Sequence, residues 1–261
     1  MTAHQPLTVE WRDNGVVVVT FTNPAKRNPM SAELTAHWSE AMRELRGAAE
    51  LRAVVVTGAG PAFCSGADLG ELGGTADADL MGARAHLSEF YRTWLSIRNL
   101  PVPTIAAVNG HAIGAGLALA LACDLRYVVP TARLGVPFVQ LGLHAGMATT
   151  ALLPEAVGMQ RARELLFTGR VISGAEAVEL GIALPAGESV LDTALDTAAQ
   201  IAGAAPIAVR LTKTALAAGQ PSVEQALAWE ALAQPVTTQT ADFTEGITAR
   251  REHRRPHFLG R

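Results

Sequence analysis

Two cysteines, Cys64 and Cys123, in 261 residues cannot build a disulfide framework, so packing has to hold the fold. No long apolar run is present. The stretch richest in glycine, alanine and leucine, Ala112 to Cys123, is about 12 residues long, where a membrane span needs roughly 20. Met1 to Trp11 lacks a basic segment followed by an apolar one, so no secretory signal is expected and the chain reads as soluble and cytoplasmic. Neither sign of charge is in excess. Lys and Arg number 21 against 24 Asp and Glu, and the net charge of −3 gives no electrostatic reason to bind nucleic acid. Aromatic residues make up only 5%, while the 24 glycines point to close packing of small residues. No Gly-Lys-Ser/Thr run offers a phosphate loop, and Ser65 lacks the flanking glycines of a nucleophile elbow. Pro256 spoils a helical pairing of His253 with His257, and no metal site is expected.

At 49% hydrophobic and 17% charged, the chain is too apolar for disorder and long enough for a large core, in one domain or one with an appendage. Leu7 to Trp11 alternates, Asp13-Asn14-Gly15 turns the chain, and Val16 to Phe21 continues as strand, which predicts a hairpin. Asn23 to Pro29 reads as a loop. Ser31 caps a helix to about Arg46, with Leu34, Trp38, Met42 and Leu45 at helical spacing. A buried strand over Ala53 to Thr57 leads into a glycine-rich stretch. A helix is expected from about Ala83 to Ile97, stopped by Pro101 and Pro103. Thr104 to Val108 is a second buried strand, followed by a small-residue helix from Gly114 to Cys123 and a strand over Asp124 to Val129. From Met147 the pattern is mostly helical. The organisation is strand-rich units each closed by a helix, then a helical tail from about residue 190.

Two segments share a design. Ala62-Phe63-Cys64-Ser65-Gly66-Ala67-Asp68-Leu69 follows one buried strand, and Asn109-Gly110-His111-Ala112-Ile113-Gly114-Ala115-Gly116 follows another. Small residues at a strand end let a ligand approach the backbone. The second segment opens a helix whose first amides have no internal partner and whose dipole favours negative charge. Two such amides converging on one point form an oxyanion hole. The alternatives for Gly114-Ala115-Gly116 are tight helix packing and a dinucleotide fingerprint. The fingerprint fails because Leu119 stands where a third glycine is required.

Taken with Asn23-Pro24-Ala25-Lys26-Arg27-Asn28, with Ala122-Cys123-Asp124 and with the tail Asp242 to Phe258, these segments resemble the enoyl-CoA hydratase/isomerase (crotonase) superfamily over nearly the whole chain. The resemblance implies an α/β fold, a crotonase (ClpP-like) ββα spiral with a C-terminal helical trimerisation region. Residues 1–190 would form an acyl-CoA-binding core and 191–261 the helical region. It implies a homotrimer or dimer of trimers, and an acyl-CoA thioester as substrate with no cofactor beyond its own CoA. It assigns oxyanion amides to Ala67 and Ala115, and CoA-binding positions to Ala25, Lys26, Arg27, Ala67, Asp68, Leu69 and Gly70.

The chain also departs from the family. Hydratases carry glutamates three residues after the second oxyanion residue and directly after a Gly-x-Pro. Those positions are Ala118 and Phe138 here, and neither residue moves a proton. A third position used for an acid elsewhere in the family is Gly146. His144, in the turn bordering the acyl pocket, is the remaining candidate acid or base, with turn capping as its ordinary role. Tyr91 falls where some members carry a pocket histidine, with core packing beside Leu87 and Trp94 as its ordinary role. Cys64 and Cys123 read as small buried hydrophobes. The chain therefore reads as an enoyl-CoA hydratase/isomerase by similarity, an acyl-CoA lyase or isomerase-family enzyme whose reaction is not hydration. The alternative is a non-catalytic acyl-CoA binder on the same scaffold.

Overall fold

Valine-rich strands occupy the centre of the molecule. In the computed structural model, which describes residues 5–68, 70, 79–217, 219 and 221–261, they run in chain order β1 (Leu7–Trp11), β2 (Val16–Phe21), β3 (Ala53–Gly58), β4 (Ala62–Cys64), β5 (Thr104–Val108), β6 (His111–Ile113), β7 (Leu125–Val128), β8 (Arg133–Gly135), β9 (Val171–Ser173) and β10 (Leu184–Pro185). The helices are α1 (Ala32–Gly47), α2 (Leu80–Trp94), α3 (Ala115–Ala122), α4 (Thr149–Thr168), α5 (Gly174–Glu179), α6 (Val190–Ala202), α7 (Pro206–Ala217), α8 (Val223–Thr238) and α9 (Ala241–Arg251). Among the described residues no helix is long and apolar enough to cross a membrane.

The strands form a six-stranded sheet in the order β1-β2-β3-β5-β7-β10 and a four-stranded sheet in the order β4-β6-β8-β9. The pairs β1/β2 and β8/β9 are antiparallel and the rest are parallel. Along the chain a long strand of the first sheet is followed by a short strand of the second and then by a helix, as in β5-β6-α3 and β7-β8-α4. This is the ββα unit repeated.

Alternation of side chains divides the large sheet between two cores. Val54, Val56, Ala106 and Val108 face one cluster, shared with α1 and α3. Ala53, Val55, Ile105 and Ala107 face another, filled by Val190, Ala194 and Ala198 of α6. All six residues of β3 are buried, as a central parallel strand requires.

The hairpin forms as expected, with Trp11 opposite Val17 and Leu7 opposite Phe21. Gly15 takes the left-handed conformation (φ 77°), while the Asn14 carboxamide oxygen accepts from the Val16 N–H at 3.2 Å. Ser31 caps α1 through the Leu34 N–H at 3.3 Å. Trp38 and Trp94 stack at 5.0 Å, and each indole N–H reaches the opposite helix, at Thr93 O and Thr35 Oγ1, both 3.1 Å. These contacts clamp α2 to α1. The expected helix over 83–97 begins earlier, at Leu80, where Asp79 caps it, and ends at Trp94 in a short 3-10 turn over Leu95–Asn99.

Candidate active site

The site is assembled from strand ends locked by two asparagines. Asn28 is fully buried and left-handed (φ 54°). Its Oδ1 accepts the Asn23 N–H at 2.9 Å, and its Nδ2 donates to Ala62 O at 2.8 Å and Ala59 O at 3.0 Å. It folds the 23–29 loop on itself and fastens it to the start of β4. Asn109 does the same between β3 and β5. Its Oδ1 accepts the Gly58 N–H at 3.2 Å and its Nδ2 donates to Gly60 O at 2.9 Å. In the sequence both read as loop and turn residues. The available signal was an asparagine beside proline or glycine at a strand end, a position suited to positive φ or to side-chain capping.

The two glycine-containing segments come together on this frame. The Met30 N–H donates to Gly66 O at 2.8 Å and the Ser65 N–H to Arg27 O at 3.0 Å, so the 62–67 segment is stitched to the 23–30 loop. Gly66 has φ 96°, and a Cβ there would lie 2.6 Å from Ile113 O and 3.4 Å from Ala115 N. A Cβ on Gly116 would lie 2.1 Å from Cys64 O, so the first turn of α3 rests directly on the β4 backbone. Ala67 and Ala115 are thereby brought side by side. Among the described residues neither of their N–H groups has a hydrogen-bond acceptor, whereas Gly114 N–H is used by Gly135 O at 2.8 Å and Ala118 N–H by Gly114 O at 3.1 Å.

Helix α3 is buried along its whole length, and its far end is neutralised by Arg126, which donates to Cys123 O at 2.8 Å and Leu121 O at 3.3 Å. A cation at the C-terminus and free amides at the N-terminus complement the helix dipole. Asp124 anchors the same end. It accepts from Thr104 N–H at 2.7 Å, Thr104 Oγ1 at 2.8 Å and Lys213 Nζ at 2.8 Å.

Ala118 is fully buried. Phe138 is half-buried in the 3-10 turn Pro137–Leu141, and its ring carbon Cζ lies 3.8 Å from where a Cβ on Gly114 would stand. The two positions expected to lack a proton carrier therefore present a methyl and a phenyl group, the ring lying over the residue before Ala115. His144 is exposed. Its Nδ1 lies 2.7 Å from Ala145 O, and since a carbonyl only accepts, Nδ1 donates there and leaves Nε2 without a partner among the described residues. Lys26 and Arg27 are exposed beside Ala25, and among the described residues neither is in an ion pair. Asp68 turns back to accept the Gly70 N–H at 2.9 Å. Leu69 lies outside the described residues, as do 71–78.

The thiols of Cys64 and Cys123 are buried, and burial pushes both up to about 12, as for inert packing groups. No cluster of His, Cys, Asp and Glu among the described residues is arranged to hold a metal ion. A cavity of about 580 Å³ lies elsewhere, between the C-terminal end of α3 and α7, and borders Asp124 and Lys213.

Known proteins are similar to this chain over nearly its whole length. The family model for enoyl-CoA hydratase/isomerase matches residues 12–261. Enoyl-CoA hydratase domain-containing protein 2 of Mus musculus is 36% identical over 261 residues, covering 95% of this chain and 86% of that protein. Methylglutaconyl-CoA hydratase of Homo sapiens is 33% identical over 260 residues, covering 97% and 76%. The crystal structure of an enoyl-CoA hydratase from Bacillus anthracis superposes with a TM-score of 0.92 at 35% identity, covering 98% of this chain and all of that one. The chain thus belongs to the enoyl-CoA hydratase/isomerase, or crotonase, superfamily.

Proposed function

We propose that this protein binds an acyl-CoA thioester and stabilises negative charge on its carbonyl oxygen through the N–H groups of Ala67 and Ala115, in a reaction other than hydration. The observation that carries the reading is that the Ala67 loop packs against the start of a buried helix at Ala115, and that neither N–H has an acceptor among the described residues. Backbone donors fixed by strand ends and a helix start need no reorganisation as charge develops. Hydration also requires groups that deliver water and take or return a proton, each typically worth 10² to 10⁴-fold. Ala118 and Phe138 supply neither.

The exposed Lys26 and Arg27 suit the CoA phosphates, with Ala25 and the Ala67-Asp68-Leu69-Gly70 segment along the adenine and pantetheine. CoA enters as part of the substrate, and the amides themselves are the electrophile, so the reaction as proposed calls on no further cofactor or metal. His144 is a candidate acid or base through Nε2. We assign residues 1–190 to the acyl-CoA-binding core and 191–261 to a helical region that assembles a homotrimer or dimer of trimers in the cytoplasm. Helix α8 supports assembly: Val223, Leu227, Leu232 and Val236 are all exposed and none of its residues is buried.

The experiment is crotonyl-CoA turnover beside thioester binding on the purified protein. Binding without hydration is expected, and hydration at an ordinary rate of about 10 s⁻¹ or more contradicts the reading.

A further inference from the structure

Among the described residues, one buried side-chain polar atom has no hydrogen-bond partner: Nε of Arg210, on α7. The rest of that guanidinium is anchored, since Nη2 donates to Ala49 O at 3.3 Å and to Leu51 O at 3.4 Å. It therefore lies against the chain just before Arg52, the residue that precedes β3. Arg52 is half-buried, and its side chain serves no acceptor among the described residues. Neither arginine is in an ion pair there. Two cations thus stand together without a counter-charge in contact. The buried Asp242 carboxylate attracts Arg52 from a distance, but its oxygens are taken by the Leu259 N–H at 2.7 Å and the Gly260 N–H at 2.8 Å.

Both arginines line a void of about 10 Å³, with Leu51, Val102, Ile201, Pro206 and Val209 completing its wall. That is room for about one small particle. The carbonyls around it are in use. Those of Leu51, Val102 and Ile201 accept from Arg210 Nη2, from Lys213 Nζ at 2.8 Å and from the Ala204 N–H at 3.0 Å, and those of Pro206 and Val209 belong to the ladder of α7. The groups left wanting are donors. A water there would bring two hydrogens that need acceptors of their own. An anion accepts from every side and also balances the paired charges.

We propose that this void is a monatomic-anion site, with chloride as its ligand, held by Arg210 Nε and the Arg52 guanidinium. Phosphate and carboxylates are too large for it. What the ion joins gives it a role. Arg52 stands at the head of β3, Arg210 belongs to α7, and the C-terminal segment touches both elements: a Cβ on Gly260 would lie 3.3 Å from Pro206 Cγ and 3.4 Å from Arg52 Nη1. The anion ties α7 and the C-terminal segment to the sheet. It does so at the end of β3 opposite Gly58, whose N–H is held by Asn109.

The test is thermal unfolding of the full-length protein in sodium chloride, sodium bromide and sodium gluconate at equal ionic strength, gluconate being too large for the void. Anomalous scattering from crystals soaked in sodium bromide accompanies it. Chloride and bromide should raise Tm by about 2–4 °C over gluconate once they exceed their Kd several-fold. Arg52→Gln removes a cation that serves no acceptor, so it should fold and lose that difference. Arg210→Gln should lose it as well. An anomalous peak should stand beside Arg210 Nε. An absent peak, equal Tm in the three salts, or a halide effect undiminished in Arg52→Gln overturns the proposal.

Discussion

Replacing Ala115 by proline deletes one proposed oxyanion donor and little else. Ala115 is the first residue of α3, after Gly114 at φ 57° and ψ −118°, and its N–H serves no acceptor among the described residues. The first helical position is where proline is best tolerated, because its fixed φ suits the helix and the missing N–H has no intrahelical role. Stability should change by about 1 kcal/mol or less. Loss of a single oxyanion donor lowers kcat by about 10² to 10³-fold, or about 2.7–4 kcal/mol of transition-state stabilisation. KM should rise too, since the ring Cδ takes the place of the donated hydrogen. The control is Ala115→Gly, which keeps the N–H and costs about 0.5–1 kcal/mol of helix stability. The assay is steady-state turnover of a CoA thioester that wild type accepts, beside thermal unfolding of all three proteins. A folded Ala115→Pro variant with kcat equal to that of Ala115→Gly would refute the reasoning, because the N–H would then carry no share of the chemistry.

Installing glutamate at both Ala118 and Phe138 should create measurable crotonyl-CoA hydration. Ala118→Glu alone should destabilise by about 1–3 kcal/mol, since its methyl is fully enclosed; urea unfolding and hydration assays check both statements. Asn28→Ala should cost about 1–3 kcal/mol, because it strands the buried carbonyl of Ala62 and the half-buried one of Ala59, and should weaken thioester binding by releasing the Lys26-Arg27 loop, as read by calorimetry. Cys64 and Cys123, pushed up to about 12 by burial, should resist alkylation at pH 8 in the native protein and react on unfolding, as mass spectrometry would record.

Much of this frame can be read directly from the residues. The valines of β2 and β3 announce buried parallel strands, Ser31 announces the start of α1, and Asn14-Gly15 announces the hairpin turn. The second sheet is not legible in the same way. β4, β6, β8 and β9 are three residues each, too short to express a period of two; β4, β6 and β8 each follow a longer strand of the first sheet, and β9 pairs antiparallel with β8 after α4. Hence His111–Ile113 reads as part of a turn, although it pairs with β4 and β8 and sets the direction of α3. The site shows the same division. The two segments are visible because glycine and alanine cluster at strand ends, and the family resemblance assigns Ala67 and Ala115 within them, whereas Asn28 and Asn109 act through side-chain bonds across 31 to 51 residues of sequence. Tyr91 shares a helix face with Leu87 and Trp94. The bare backbone of Gly146 in front of it is a tertiary fact that spacing does not reveal.

The central claim concerns one carbonyl group, and isotope-edited infrared spectroscopy of a ¹³C=O-labelled acyl-CoA thioester observes that group directly. Two amide donors gripping the oxygen should lower the carbonyl stretch of the bound thioester below its value in water, and Ala115→Pro should return much of the difference. A bound thioester whose carbonyl stretches as it does in water, in wild type and variant alike, would contradict the account.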